Sequence, residues 1–193
     1  MVVDFPDLLD ELSCGDDERA EAALAHLASW GSEVVEHLSE RLSNPEVDVR
    51  WWAVRALAEV QDSRIPELLI KALSDPDRAV RWCAGVALRQ HPSVKAAPIL
   101  LHLLSDNDAL TRRLAGDALV AIGRQVVPQL IELMQHGVHV SRLEAVRALA
   151  RIGDERSIPV LFAALDQSSA LIEYWASEGL EKMGVGMVYY RPD

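Results

Sequence analysis

Two columns of apolar residues run the length of the chain at a nearly constant step. One is alanine: Ala23, Ala53, Ala84, Ala115, Ala145 and Ala176. The other is leucine: Leu27, Leu57, Leu88, Leu119, Leu149 and Leu180, again 30 or 31 residues apart. A fixed period of this size constrains the fold more than any other feature. A unit that short cannot bury its apolar face alone and must stack on its neighbours. The segments NPEVDVRWWAVRAL (44–57) and DPDRAVRWCAGVAL (75–88) match almost residue for residue. DNDALTRRLAGDAL (106–119) and HGVHVSRLEAVRAL (136–149) continue them, and CGDDERAEAALAHL (14–27) and QSSALIEYWASEGL (167–180) are the divergent ends.

Each copy reads as a helix A, a tight turn and a helix B. Pro66, Pro98, Pro128 and Pro159 stand where helix A begins, a place that needs no amide donor. Helix B carries apolar residues at helical spacing, as in Val80, Ala84, Ala87 and Leu88, and no alternating run of strand length occurs. Gly123 and Gly153 follow helix B, where left-handed caps are common. The alanine column lets helices approach closely while the leucines fill the core. One domain over 1–193 is expected: an acidic cap repeat at 1–31, repeats over 32–183 and an extension at 184–193. Met187, Tyr189 and Tyr190 make that extension apolar enough either to fold back as a cap or to dock a partner.

The run Asp-Pro-Asp, then Val-Arg, then Ala-x-x-Ala-Leu resembles the HEAT-like repeat family, particularly the short form of phycobilisome lyases, over essentially the whole chain. The fold expected from this is an all-α, right-handed superhelical solenoid of six two-helix repeats. The resemblance implies a structural ladder in which a turn Asp or Asn pairs with an arginine six residues on. The matching positions are Asn44 with Arg50, Asp75 with Arg81 and Asp106 with Arg112, and His136 with Arg142 matches in part. Gln167 with Glu173, and Cys14 with Ala20, depart from the pattern, so the ladder is expected to fail at both ends. Neither the ankyrin nor the tetratricopeptide signature is present.

The resemblance also implies that helix B lines a concave groove. Successive residues turn about 100° on a helix, so with each 14-residue segment numbered from 1, positions 6, 10, 13, 14 and 17 form the core face. Positions 8, 12 and 15 point away from it. Position 8 reads Glu21, Trp51, Trp82, Arg113, Leu143, Tyr174, and position 12 supplies Arg55, Asp117 and Arg147. Trp51 and Trp82, continued by Arg113, Leu143 and Tyr174, therefore form a candidate binding strip with both indoles substantially exposed, and Arg55, Asp117 and Arg147 set its polarity. Trp, Tyr and Arg are the usual interface anchors. Trp52 and Trp175, at position 9, are read as packing residues, and Trp30, at position 17, as a core residue.

Charge is unevenly placed. The chain carries a net −11, of which residues 1–46, with twelve acids and two bases, hold −10. That segment is either a solvated cap or a docking site for a basic partner. An acidic chain is poorly suited to gripping phosphate backbones, so no nucleic-acid partner is expected. No apolar stretch is long enough to span a bilayer, the first ten residues do not read as a targeting signal, and two cysteines, Cys14 and Cys83, suit a reducing compartment; a cytoplasmic, non-membrane protein is expected. None of the six histidines precedes a glutamate, which excludes the His-Glu pairs of the HEAT-like di-iron hydroxylases, and His136 and His139 lack further metal-ligand partners. No catalytic residue, metal site or cofactor is assigned. The expected function is a non-enzymatic scaffold for a protein or peptide. The alternative implied by the resemblance is a phycobilin-lyase-like protein handling a tetrapyrrole or its carrier protein, with Arg55, Arg113 and Arg147 near its propionates.

Overall fold

The structure, a computed structural model, describes residues 5–185. Met187, Tyr189 and Tyr190, on which the choice between cap and docking segment rests, lie outside the described residues. Two compact units divide the chain, Met1–Ala96 and Ala97–Asp193.

The first unit holds three helix pairs. They are α1 (Phe5–Glu11) with α2 (Asp17–Ala28), α3 (Val34–Arg41) with α4 (Val47–Glu59), and α5 (Ile65–Ala72) with α6 (Arg78–Ala87). Within it α4 packs between α2 and α6, so the second helices form one layer. The second unit repeats the plan: α7 (Ala97–Leu103) with α8 (Ala109–Ile122), α9 (Val127–His136) with α10 (His139–Ile152), and α11 (Ile158–Leu165) with α12 (Ala170–Lys182). Here α10 packs between α8 and α12. Among the described residues there are helices and no strand, as the periodicity requires.

Every residue of the alanine and leucine columns is buried. The second helices start at side-chain caps where the turn supplies an acid: Asp16, Asp77 and Asp108 each accept a backbone N–H of the first turn. Pro66, Pro128 and Pro159 sit in the first turns of their helices. Gly153 closes α10 with φ +66°, a conformation that excludes a β-branched side chain. At Gly179 the constraint is contact rather than conformation. A Cβ there would lie 2.9 Å from both the Cα and the Cβ of Ala150, so α12 approaches α10 as closely as a glycine permits.

The arginine ladder is present, with partners that differ from the expected ones. Arg50 donates from Nη1 to the carbonyls of Asn44 (2.9 Å) and Pro45 (3.1 Å), clamping its own turn. Its Nε and Nη2 donate to the Asp75 carboxylate at 2.8 and 3.0 Å, a two-pronged bond into the next repeat. The side-chain partner of the arginine is thus the turn residue one repeat on, not the one six residues before it. Arg81 and Arg112 clamp their own turns in the same way, through the carbonyls of Asp75 (2.8 Å) and Asp106 (2.7 Å). The side-chain oxygens of Asn44, Asp75 and Asp106 also accept backbone amides two residues on, which shapes each turn. At the C-terminal end Arg142 still donates to the side-chain oxygen of Gln167, because an amide oxygen accepts as a carboxylate oxygen does, while Glu173 has no guanidinium to extend the ladder. His136 takes no part, since Arg142 uses the Met134 carbonyl instead.

A second clamp lies in the loops between pairs. In Asp62-Ser-Arg64 the carboxylate accepts the Arg64 amide and guanidinium, and Arg64 Nη2 reaches back to the Ser32 carbonyl at 2.9 Å. Asp154-Glu-Arg156 repeats this on the Arg124 carbonyl at 2.7 Å. The Arg64 side chain, with the Arg64 amide, holds the Asp62 carboxyl down at about 2, and Arg156 does the same for Asp154.

Candidate functional site

The strip residues divide between the two units. In the first, Trp51 on α4 and Trp82 on α6 occupy the same repeat position and are each half-buried. The expected substantial exposure is corrected in degree: side chains of their own helices cover part of each ring. Trp51 meets Trp52 edge-on, with centroids 4.8 Å apart and planes at 90°. Trp82 lies under Arg78, whose guanidinium carbon is 5.2 Å from the ring centroid. Arg55, half-exposed on α4, pairs with Glu59 and lies 3.7 Å from Glu21 on α2. Trp52 is a packing residue at 8% exposure.

Between the N-terminal ends of α2 and α4 a cavity of about 390 Å³ opens, lined by Ser13, Gly15, Asp17, Glu21, Glu46, Asp48, Trp51 and Trp52. Helical-wheel positions do not reveal it, because it is built from residues of two repeats and from turn positions outside the wheel. The signal available in the sequence was the coincidence of the acidic segment with the Trp51-Trp52 pair.

In the second unit the strip positions carry different chemistry. Arg113 is exposed, Leu143 half-buried and Tyr174 52% exposed, the last stacked edge-on against half-buried Trp175 at 5.3 Å. Arg147 was expected on the open face and is instead 2% exposed. Its Nη2 donates to the Arg113 carbonyl at 3.1 Å and lies 3.0 Å from Glu144 and 3.4 Å from Asp117. Arg151 also pairs with Asp117. The guanidinium fits because residue 116 is glycine: a Cβ there would stand 2.7 Å from Arg147 Nη2. Burial lowers the Arg147 pKa from its ordinary value, and its Nε and Nη1 have no hydrogen-bond partner among the described residues.

Trp30 is the other correction. It is 39% exposed, whereas Val60 and His91 at the same repeat position are buried. Trp30 lies just past the end of α2, in the link to α3, rather than within the packed second helix. His91 is a satisfied core histidine, with Nε2 2.8 Å from the Ala58 carbonyl. Burial raises the Cys83 thiol to about 11, which leaves it a poor nucleophile. Among the described residues no group of three or more His, Cys, Asp or Glu side chains converges as a metal ion needs, and no helix is long and apolar enough to cross a membrane.

The sequence profile of HEAT repeats matches residues 35–120 and 98–181. No curated protein matches the chain. Among solved structures, the chain is similar to an archaeal HEAT-like repeats protein from Thermococcus onnurineus NA1, with TM-score 0.67 and 17% identity over 99% of this chain and 84% of that one. It is similar to the complex of CpcE and CpcF of phycocyanin lyase from Nostoc sp. PCC7120, with TM-score 0.56 and 22% identity over 93% and 76%. It is also similar to a designed armadillo repeat protein in complex with the peptide (KR)4, with TM-score 0.53 and 18% identity over 93% and 99%. At these identities the likeness concerns the fold, an all-α repeat solenoid.

Proposed function

The chain belongs to the HEAT repeat family, and from that premise we propose that it is a non-enzymatic scaffold binding a protein or peptide on the exposed face of its second helices. The observation that carries this reading is the pairing of Trp51 and Trp82. Two large indoles hold the same position in the second helices of consecutive pairs of one unit, neither is taken into the core, and charged side chains stand beside both. A half-open indole at a repeated position gives a partner a rigid apolar contact with little entropy to lose, which is how interface anchors work. Arg55 in the first unit supplies a flanking contact on this reading; in the second unit Arg113, Leu143 and Tyr174 hold the equivalent positions over Asp117. Arg147 supports that face from beneath. The similar designed repeat protein is in complex with a peptide, and the similar lyase is a complex of CpcE and CpcF, so the fold accommodates partners of this kind.

The reading is tested with peptides selected by display against the intact protein. Replacing Trp82 with Ala weakens the selected peptide by about 2 kcal/mol, or roughly 30-fold, while thermal melting changes little. Unchanged affinity in that variant overturns the assignment. The tetrapyrrole alternative rests on the likeness to phycocyanin lyase and on exposed Arg113. Arg147, one of its three propionate contacts, is enclosed and engaged, which counts against it. A bilin absorption band appearing on the purified protein would favour it.

A further inference from the structure

We infer that the cavity between α2 and α4 is the subsite for a Lys or Arg side chain of the partner, which makes that partner a basic peptide. The inference rests on the peptide-scaffold reading and deepens it. It starts from a comparison inside the molecule. Trp51 and Trp82 are equivalent residues, and four positions before each the chain makes opposite choices. Before Trp82 stands Arg78, whose guanidinium lies 5.2 Å over the ring. Before Trp51 stands Val47, 38% exposed, between Glu46 and Asp48. Among the described residues no cation lies over Trp51. One repeat therefore supplies its own cation to the indole, and the other surrounds the indole with acids.

Charge arithmetic supports the same occupant. Four carboxylates line the cavity, those of Asp17, Glu21, Glu46 and Asp48. Glu21 has Arg55 at 3.7 Å, and the other three have no ion-pair partner among the described residues. The N-termini of α2 and α4 each offer about half a positive charge, so together they offset about one more. About two negative charges stay uncompensated around a Trp pair. A volume of about 390 Å³ lies at the small end of ligand sites, which span roughly 300–1,000 Å³, and has room for one Lys or Arg side chain. Tryptophan is the strongest aromatic partner for a cation, and carboxylates beside the ring add directional acceptors for its N–H groups.

The test uses the full chain and a fluorescein-labelled (Lys-Arg)4 peptide, read by anisotropy at about 0.15 M salt, where surface charges more than about 8 Å apart are screened. The peptide binds, and Glu46→Gln with Asp48→Asn weakens it about tenfold. Glu33→Gln with Glu40→Gln removes the same charge from the same acidic segment outside the cavity and changes affinity less than about twofold. Val47→Arg places a cation on Trp51 from its own helix and weakens the peptide about as much as the cavity pair does. Equal losses from the two double variants, no binding by the wild type, or indifference to Val47→Arg each overturn the inference. Trp82→Ala in the same assay separates the two readings. Loss there without loss in the cavity variants sinks the subsite and keeps the strip; the reverse keeps the subsite and sinks the strip.

Discussion

The two units use one repeat plan and fill its outward positions with opposite chemistry. In the first, carboxylates face the half-open Trp51 indole around a cavity, and three of the four acids are left without a basic partner among the described residues. In the second, Arg113, Arg147 and Arg151 converge on Asp117 and Glu144, and the central guanidinium is enclosed. Charges that neutralise one another inside a unit are architecture, because a partner would have to break existing pairs to use them. Charges left uncompensated beside an aromatic surface are available to a partner. The binding assignment therefore rests on the first unit, although helix-wheel position alone ranks both alike.

The largest expected effect is structural and lies in the first unit. Arg50→Ala leaves the buried Asp75 carboxylate without its two-pronged partner. Burial itself raises the Asp75 pKa, but Arg50 and the Asp77 amide outweigh it and hold the carboxyl below its ordinary value, so without Arg50 the penalty of burial is exposed. Chemical denaturation is expected to show a loss of about 3 kcal/mol; a loss below about 1 kcal/mol would mean the ladder is ornamental there.

Next comes Gly179 in the second unit. Alanine gains about 1 kcal/mol of helix propensity over glycine, but its methyl meets the Ala150 backbone at 2.9 Å. Backbone cannot swing aside as a side chain does, so overpacking wins. Gly179→Ala is expected to cost a net of about 1–2 kcal/mol in the same assay. Stabilisation would show that α12 can slide away from α10 freely.

Arg147→Met sharpens the comparison between units. It removes a buried charge whose Nε and Nη1 have no hydrogen-bond partner among the described residues, and it keeps a long apolar stem beside Gly116. Stability is expected to fall by about 1 kcal/mol, because Glu144 loses its partner while Asp117 keeps Arg113 and Arg151, and peptide affinity stays unchanged. A fall in affinity would move part of the site into the second unit.

The smallest effect is acid sensitivity. Asp62 and Asp154 are held at about 2, against an ordinary value of 3.8. A folded-state pKa below the unfolded one gives stability that is complete above about pH 4 and is lost as pH falls towards 2. Melting temperature should decline across that window, and Asp154→Asn should flatten part of the decline. A decline of the same slope in that variant would assign acid sensitivity to other carboxylates.

The repeat was legible because it is written six times: the alanine and leucine columns survive any single divergent copy, and each of their residues is buried. The ladder was legible in its residues but not in its connectivity, since Arg50 is six residues from Asn44 and 25 from Asp75, and spacing cannot say which one the fork reaches. Arg147 was misplaced because its depth depends on a residue of another helix, Gly116, whose missing side chain makes the room. The Asp62 and Asp154 clamps went unseen because they stand in loops rather than in the aligned helices. The cavity went unseen for the same reason, since Glu46 and Asp48 read as helix-start acids until α2 is set beside α4.

The most direct test of the central claim uses the five tryptophans as reporters. The protein is labelled with 5-fluorotryptophan, its resonances are assigned with single Trp→Phe variants, and (Lys-Arg)4 is added while 19F spectra are recorded. The account predicts that the Trp51 and Trp82 resonances move saturably and together, while Trp175 in the second unit stays in place. Movement of Trp175 with Trp51 and Trp82 unmoved would contradict it.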